Sequence, residues 1–232
     1  MKEADPGIRI NKYLSNRGIA TRREADWLLQ QGAVTINGAR AVLGQRGMRH
    51  DTVQIRQRTG APKTYLAYHK ARGLVTNAVE RGGPEIPRTF TIAGKKVLVH
   101  PIGRLDKDSS GLIILTDDGR ITDRMLNPSH SHRKTYRVLV DKTVSPNFLK
   151  NLAAGVSIEG YPTKPGEVRK LSPREFEIVI SEGKKHQIRR MCGAFGLDAS
   201  GIERKRIINI NLGRLQPGEY RAIQGKELSD FL

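Results

Sequence analysis

The fold of the longer part of this 232-residue chain follows from residues 100–119, HPIGRLDKDSSGLIILTDDG. The apolar run Gly111–Thr116 is short, rich in aliphatic side chains and bounded by polar residues, which is typical of a strand. The polar residues before it predict a turn that contains Asp106. Taken alone, an Asp in such a turn is more often a loop cap than a catalytic group.

Segments on both sides of this stretch also have strand character. β-Branched and aromatic residues predict strands at Tyr65–His69, Val97–Val99, Thr135–Val140 and Phe176–Ile180. Helices are predicted at Asp123–Leu126 and Asn147–Ala154. Because no regular helical crossover separates the strands, the sequence predicts an α+β domain with a largely antiparallel sheet.

A further helix is indicated by Ile188, Met191, Cys192 and Phe195, which have the spacing of one helix face. Gly196 is expected to end this helix. Cys192 therefore belongs to the core and is expected to be inert. Since it is the only cysteine, the chain has no intramolecular disulfide and no cysteine-based metal site. The histidines show no metal-ligand spacing either.

The first 58 residues have a different pattern, which begins with two helices. A short amphipathic helix is predicted from Ile8, Ile10, Tyr13 and Leu14, and it ends at Gly18. Thr21 and Glu24 form a capping box that starts the second helix at Thr21. Gly32 is suited to end that helix, and its apolar face consists of Ala25, Leu28 and Leu29.

A hairpin and a polar linker follow these helices. Val34–Ile36 is predicted as a strand with Asn37-Gly38 as its turn, since Asn-Gly is the strongest short hairpin signal. Arg56–Thr64, RQRTGAPKT, contains Gly and Pro and lacks periodicity, which indicates a linker. We therefore expect a small domain at 1–58, a linker at 59–64 and a larger domain at 65–232.

The net charge of +18, from 41 basic and 23 acidic residues, indicates a polyanionic partner such as a nucleic acid. Basic residues exceed acidic ones on both sides of the linker, so both domains are expected to contact the same phosphate backbone. The alternative is that the charge only keeps the protein soluble. No apolar segment approaches the roughly 20 residues that span a bilayer, and the polar N-terminus lacks an export signal. A cytoplasmic protein without a membrane partner is expected.

Two arginines, Arg22 and Arg23, fall in the first turn of the second predicted helix, where the helix dipole disfavours cations. Local conflicts of this kind tend to mark functional positions. Together with backbone amides at the same helix end, these guanidinium groups are suited to holding a phosphate. Two solvated arginines without a role explain the pattern equally well.

Several stretches, taken in order, resemble a known family. Residues 8–58, including IRINKYLSNRGIATRREADWLLQQGAVTING, look like the S4-type RNA-binding module. The motifs HPIGRLDKDSSGLIILTDDG at 100–119, RKTYRVLV at 133–140 and GKKHQIRRMCGAFG at 183–196 resemble the ribosomal small-subunit pseudouridine synthase (RsuA) family. The resemblance implies a small α/β S4-like RNA-binding domain followed by a catalytic domain with a mixed, mostly antiparallel central sheet flanked by helices.

One segment departs from that family. Its members usually carry Lys-Pro where this chain has Lys70-Ala71. Ala71 frees the backbone that a proline would fix. The shape of this RNA-facing loop is therefore open, whereas the catalytic motifs are intact.

The resemblance implies the isomerisation of uridine, in which the ribose moves from a ring nitrogen to a ring carbon of the same uracil. Nothing is oxidised, so no redox cofactor or metal is required. Asp106 matches the family's carboxylate beside the sugar, where it attacks the anomeric carbon, as in retaining glycosidases, or takes a neighbouring proton. Arg189 matches the basic partner that would pair with this carboxylate. Tyr136 matches the aromatic residue that stacks on uracil. Taken alone, Arg189 is typical of a solvated helix arginine, and a strand tyrosine such as Tyr136 is more often a half-buried packing residue.

The target base must leave its stack to reach Asp106. Arg104 is expected to fill the vacated space or to hold a flanking phosphate, and Ile188 to form an apolar floor unless it only packs in the core. The other expected RNA contacts are Lys12, Arg22, Arg23, Lys185 and Arg190. Arg190 is also typical of a solvated surface residue. His186 is given no acid–base role.

The expected substrate is large-subunit (23S) ribosomal RNA, because KDSSGL and QIRRMCGAFG look nearer to large-subunit members of the family. A structured stem-loop and a monomeric enzyme are expected. Small-subunit (16S) ribosomal RNA or a transfer RNA is the nearest alternative. A protein that binds ribosome-assembly intermediates without catalysis is the alternative from another class. A DNA-binding protein is least favoured, because the RNA module accounts for the helical elements.

Overall fold

The computed structural model describes residues 7–17, 19–20, 22–30, 32–48, 50–55, 63–76, 84–121, 125 and 131–232. The chain forms two compact units. One consists of Met1–Lys63 with Asp118–Arg124, and the other of Thr64–Asp117 with Met125–Leu232. Most of the segment that indicated a linker, residues 56–62, lies outside the described residues.

The N-terminal unit combines short helices with short strands. In chain order they are β1 (Ile8–Arg9), α1 (Ile10–Asn16), α2 (Arg22–Gln30), β2 (Val34–Ile36), β3 (Ala39–Arg40), β4 (Arg46–Gly47) and β5 (Val53–Ile55). Strands β3, β2 and β5 form an antiparallel sheet, and β1 pairs with β4. The core of this unit consists of Ile10, Leu14, Ala20, Ala25, Leu29, Val34, Ile36 and Ala41.

The predicted order of helix, helix and hairpin is confirmed, with one correction. Ile8 lies exposed in β1 rather than on the first helix, which begins at Ile10. The side chain of Ile8 therefore adds nothing to the buried face of α1. Gly18, Thr21 and the side chain of Glu24, which carried the predicted helix end and capping box, lie outside the described residues.

Glycine and asparagine end the local elements as the sequence predicted. Gly32 has a φ of 65° and follows α2, and its amide donates to the carbonyl of Leu29 at 3.0 Å. Asn37 and Gly38 have φ values of 51° and 81°. Positive φ at both central residues is what a two-residue hairpin turn requires, so β2 turns directly into β3.

The second unit consists of a large sheet with helices and smaller hairpins. Its elements are β6 (Tyr65–Lys70), β7 (Thr89–Ile92), β8 (Lys95–Leu98), β9 (His100–Ile102), β10 (Ser110–Thr116), β11 (Lys134–Val140), α3 (Pro146–Ala154), β12 (Ser157–Ile158), β13 (Tyr161–Pro162), β14 (Glu167–Ser172), β15 (Glu175–Ile180), α4 (Gln187–Gly193), β16 (Ala199–Ile207), β17 (Ile210–Asn211), β18 (Tyr220–Ala222) and α5 (Gly225–Ser229).

The main sheet has the strand order β14-β15-β11-β16-β10-β6-β18, with β9 paired to β10 and β17 to β16. Among the described strands of this sheet, β10 and β16 pair in parallel and the other pairs are antiparallel. This confirms the predicted α+β class with a mixed, mostly antiparallel sheet. The parallel pair places β10, which follows the Asp106 turn, next to β16 and one strand away from β11.

Among the described residues, two buried clusters stabilise this unit. The larger one packs α3 and α4 against the sheet, and Phe148 and Phe176 meet edge to face with 5.5 Å between ring centroids. The smaller one packs the β7–β8 hairpin against β6 and β10, with Phe90 against Tyr68 at 5.9 Å. Within the described part of the chain, no helix is long and apolar enough to cross a membrane.

The helix predicted from the Ile188 face is present but shorter than expected. α4 ends at Gly193, so Phe195 packs on the core from the turn that follows. Cys192 is fully buried, and burial raises the pKa of its thiol to about 12. The thiol is therefore protonated at neutral pH, as an inert core cysteine should be. Of the helix predicted at Asp123–Leu126, only Met125 lies within the described residues.

Gly111 permits the close pairing of β10 with β16. Its φ is 111°, and a Cβ at this position would lie 2.4 Å from the backbone nitrogen and oxygen of Arg204. No side chain fits at that distance, and the backbone conformation is one that residues other than glycine rarely adopt. The sheet can therefore hold its parallel pair only with glycine here.

We predict that Gly111→Ala lowers the free energy of unfolding by about 3 kcal/mol or more, because steric overlap adds to backbone strain. Urea unfolding measures this change. The control is Gly193→Ala, where a Cβ meets open space at the end of α4. It is expected to be neutral or to stabilise by up to about 1 kcal/mol. Equal losses in the two variants would contradict the role of Gly111.

Candidate active site

A cavity of about 330 Å³ opens beside the turn that contains Asp106. Its buried lining residues are Leu105, Ser109, Tyr136, Ile180, Gln187, Ile188 and Ile202. Its exposed lining residues include Arg104, Lys184, Lys185 and His186. The cavity thus joins one carboxylate and one aromatic ring to an apolar interior and a cationic rim. Such a lining suits a flat ring that is attached to an anionic backbone.

The turn that carries Asp106 is held through its backbone. The amide of Ser109 donates to the carbonyl of Asp106 at 3.0 Å, which closes the turn. The hydroxyl of Thr76, a fully buried residue, donates to the carbonyl of Leu105 at 2.8 Å and accepts from the amide of Leu105 at 3.1 Å. Both polar backbone groups of Leu105 are therefore bound to one side chain.

Lys70, the last residue of β6, holds the other side of the turn from a fully buried position. Its ammonium donates to the carbonyls of Leu74 at 2.7 Å, Ala71 at 3.0 Å and Lys107 at 3.4 Å. The amide of Gly73 donates to the same Lys107 carbonyl at 2.8 Å. The loop in which Ala71 stands in place of the usual proline is therefore bound to the Asp106 turn.

Arg204 binds the start of the turn from β16. Only 4% of this residue is exposed. Its Nε donates to the carbonyl of Leu112 at 2.7 Å, and its Nη1 donates to the carbonyl of Arg104 at 3.2 Å. The guanidinium thus links Arg104, at the start of the turn, to Leu112 in strand β10.

The carboxylate of Asp106 takes no part in this scaffold. Its side chain is 38% exposed and lines the cavity. Nε2 of His186 lies 3.7 Å from its Oδ1, although His186 was not expected to have an acid–base role. His186 precedes α4 in a left-handed backbone conformation, with φ 51° and ψ 30°. Among the described residues, none donates a hydrogen bond to this carboxylate, so it is available to a ligand.

The predicted ion pair between Arg189 and Asp106 is wrong. Arg189 donates instead to the backbone carbonyls of Asp108, at 3.2 Å, and Ala199. The cause is the phase of α4: Ile188 faces the cavity, and the next residue is rotated by about 100° around the helix axis. Arg189 therefore supports the turn through the Asp108 backbone. Its assignment as a catalytic residue stays a prediction.

Part of the predicted set of RNA contacts meets at the cavity, namely Arg104, Lys185 and Ile188. Tyr136, on β11, joins them as a buried wall that is 8% exposed. Arg190 points elsewhere, because its guanidinium pairs with Glu159 and with the carbonyl of Lys185. The cavity therefore gathers residues from three of the sequence motifs, while Arg190 belongs to the surface beside it.

The N-terminal unit exposes basic side chains on α1 and α2. Lys12 lies on α1, and Arg22 is the first residue of α2, as the predicted helix start requires. Arg23 also belongs to α2, but its side chain lies outside the described residues. Lys12 and Arg22 can reach a ligand of this unit without any rearrangement of the core.

Lys70, Thr76 and Arg204 were not singled out as site residues by the sequence. Nothing in a linear pattern separates a buried lysine or arginine from a surface one, because the carbonyls that bind them come from distant segments. Burial lowers the pKa of Lys70 from 10.5 to about 8. The positive charge of Arg204 lowers this pKa further, whereas the negative charges of Asp106 and Asp108 raise it.

Both units have counterparts among known proteins. Residues 64–194 match the family described as RNA pseudouridylate synthase, and residues 8–44 match the S4 domain. Dual-specificity RNA pseudouridine synthase RluF of Escherichia coli (strain K12) is 39% identical and covers 98% of this chain and 79% of its own. Ribosomal small subunit pseudouridine synthase A of Pasteurella multocida (strain Pm70) is 34% identical, over 97% of this chain and 99% of its own. A crystal structure of a pseudouridylate synthase superimposes with a TM-score of 0.71 and 31% identity, over 97% of this chain and all of its own.

We predict that the wild-type protein gains stability relative to Lys70→Met as the pH rises from about 8 to 10.5. In this window the unfolded chain keeps the Lys70 proton that the folded chain has released, so unfolding becomes less favourable as the pH rises. The full gain corresponds to about 3 kcal/mol. Urea unfolding of both proteins from about pH 7 to about pH 10 measures it. A difference that does not change with pH would contradict the burial of a charged Lys70.

Proposed function

Because the chain belongs to the RNA pseudouridylate synthase family, we propose that it isomerises uridine in ribosomal RNA, with large-subunit (23S) RNA as its substrate. The family makes it an RNA pseudouridine synthase; the choice of RNA is the further step. That choice is supported by the KDSSGL and QIRRMCGAFG stretches and by the higher identity to a dual-specificity synthase, 39%, than to a small-subunit synthase, 34%.

In the proposed reaction the bond between C1′ of the ribose and N1 of uracil breaks, and C1′ bonds to C5 of the same ring. The proton on C5 leaves and N1 gains one, so atoms and charge balance within the nucleotide and solvent. Asp106 acts at the sugar, either by attack on C1′ or by removal of the proton on the neighbouring carbon. The observation that carries this assignment is its cavity-lining carboxylate, which accepts no hydrogen bond from a described residue and has Nε2 of His186 3.7 Å away.

The cavity lining supports uracil as the bound ring. Tyr136 provides an aromatic ring and Ile188 an apolar wall, and both suit a flat base. The exposed Arg104, Lys184 and Lys185 are placed to hold the phosphates that flank an extruded nucleotide. Extrusion costs a few kcal/mol, and contacts between these cations and phosphates offset that cost.

The S4 domain gives the enzyme a second RNA-binding surface. We propose that Lys12, Arg22 and Arg23 contact the RNA backbone. This assignment fits the proposed division into an RNA-binding domain at 1–58 and a catalytic domain at 65–232. Arg22 lies at the start of α2, where backbone amides also point outward. Phosphate contacts of this kind make binding weaken steeply as the salt concentration rises.

Two alternatives to this proposal are a small-subunit RNA substrate and a protein that binds RNA without catalysis. Small-subunit ribosomal RNA is favoured as a substrate by the 34% identical relative that is named for it. A protein that only binds RNA has no use for a carboxylate that lines the cavity and accepts no hydrogen bond from any described residue. The enzyme is therefore favoured over a protein that only binds RNA. Mapping of pseudouridines distinguishes between the two substrate RNAs.

We predict that Asp106→Asn binds RNA with near-normal affinity but forms no pseudouridine, because the amide can neither attack C1′ nor take a proton. Release of tritium from RNA labelled at C5 of uridine reports the reaction, since the C5 proton leaves. Asp108→Asn, two residues further along, is the control and should keep near-normal activity. Product formation by Asp106→Asn would remove the chemical basis of the proposal.

We predict that deletion of the gene abolishes a pseudouridine in large-subunit ribosomal RNA. Mapping pseudouridines in all ribosomal and transfer RNAs, from cells with and without the protein, makes the comparison. Complementation with the wild-type gene restores the lost site, and complementation with Asp106→Asn does not. Loss confined to small-subunit ribosomal RNA or to a transfer RNA would contradict the proposed substrate.

A further inference from the structure

Arg204 is a buried cation that no step of the proposed reaction uses. Its Nη2 has no hydrogen-bond partner in the described part of the chain, and no described carboxylate lies within ion-pairing distance of its guanidinium. A buried donor left unpaired is unfavourable, as is a buried charge without a counter-ion. Natural proteins tolerate local conflicts of this kind mainly at functional sites.

The backbone of Arg204 lies between the two halves of the candidate active site. Within the sheet it pairs with Tyr136 of β11 on one side and with Gly111 of β10 on the other. The Asp106 turn leads directly into β10. Arg204 therefore belongs to the strand that separates the Tyr136 strand from the strand that follows Asp106.

The side chain of Arg204 adds a second link across the same gap. Its two hydrogen bonds end on the carbonyls of Leu112, in β10, and Arg104, two residues before Asp106. The register of β11 against β16 also shifts between Thr135 and Tyr136. Irregularities of this type beside active sites change the direction of a side chain. The backbone of Arg204 thus pairs with Tyr136 beside this register shift. Its side chain binds the Arg104 carbonyl, two residues before Asp106.

We propose that Arg204 is a positioning residue that sets the distance between the Asp106 carboxylate and the Tyr136 ring. It acts through the carbonyls of Arg104 and Leu112 and does not touch the substrate. A guanidinium is suited to this task because its planar group donates in two fixed directions. The proposal rests on the proposed function of Asp106 and Tyr136.

The test compares Arg204→Gln and Arg204→Lys with the wild-type enzyme. Glutamine removes the charge and the two-directional donor, whereas lysine keeps the charge and can replace one of the two hydrogen bonds. The matched controls are Arg137→Gln and Arg137→Lys. Arg137 lies on the neighbouring strand β11, is exposed, and binds Glu175 with two hydrogen bonds at 2.7 and 2.9 Å.

The measurements are kcat and KM on a substrate RNA, RNA affinity and the melting temperature. We expect Arg204→Gln to lower kcat by about 100-fold, the size of effect that follows a shift of about 1 Å in reacting groups. KM and RNA affinity should stay near the wild-type values, and Arg204→Lys should recover part of kcat. Both Arg137 variants should keep the wild-type kcat.

A purely structural role of Arg204 predicts a different outcome. Activity would then fall only in proportion to the folded fraction, and folded Arg204→Gln would keep the wild-type kcat, which would overturn the proposal. Should the glutamine variant fail to fold, the lysine variant decides by the same criterion. An inactive wild-type enzyme, or an active Asp106→Asn, would instead refute the proposed function and is identified in the same assays.

Discussion

Backbone carbonyls of the Asp106 turn accept hydrogen bonds from side chains of distant segments. A buried carbonyl without a donor is costly, and donors that carry a charge make shorter and stronger hydrogen bonds than neutral ones. Lys70, Thr76, Arg189 and Arg204 supply these donors to residues 104–108. Because the scaffold uses only main-chain groups of the turn, the Asp106 carboxylate is left for the substrate.

The same arrangement has an electrostatic consequence. Lys70 and Arg204 are buried cations, and the charges of Asp106 and Asp108 act on Lys70 through space. Burying cations lowers stability unless an anion compensates, so the turn and its supports are coupled.

β-Branched and aromatic residues predicted the central strands, and the spacing of apolar residues predicted α1, α2 and α4, because each of these patterns is contained in a short segment. β11 and β15 carry apolar residues that α3 and α4 cover, β10 is buried along most of its length, and the Asn37-Gly38 turn follows from local backbone chemistry alone. β16 escaped prediction because its sequence, ASGIERKRI, places charged residues next to buried ones, and Arg204 is buried only through carbonyls that belong to other segments. The sequence around β16 does not show which distant carbonyls will bind Arg204.

The sequence motifs predicted residues that line the cavity, but they did not predict which side chains pair with one another. The motifs located Asp106, Tyr136, Ile188, Arg104 and Lys185, which line one cavity. The ion pair of Arg189 failed because a shift of one residue on a helix changes the direction of a side chain by more than a quarter of a turn. His186 approaches Asp106 from a left-handed backbone conformation just before α4, and only a few per cent of non-glycine residues adopt positive φ.

The most direct test of a turn held through its backbone, with its carboxylate free, is a crystal structure of the protein bound to an RNA that contains the target uridine. We expect residues 104–108 to keep their hydrogen bonds to Lys70, Thr76 and Arg204, with the Asp106 carboxylate against the ribose of an extruded uridine. A turn that has left these partners, or a ribose bound away from Asp106, would contradict the proposed arrangement.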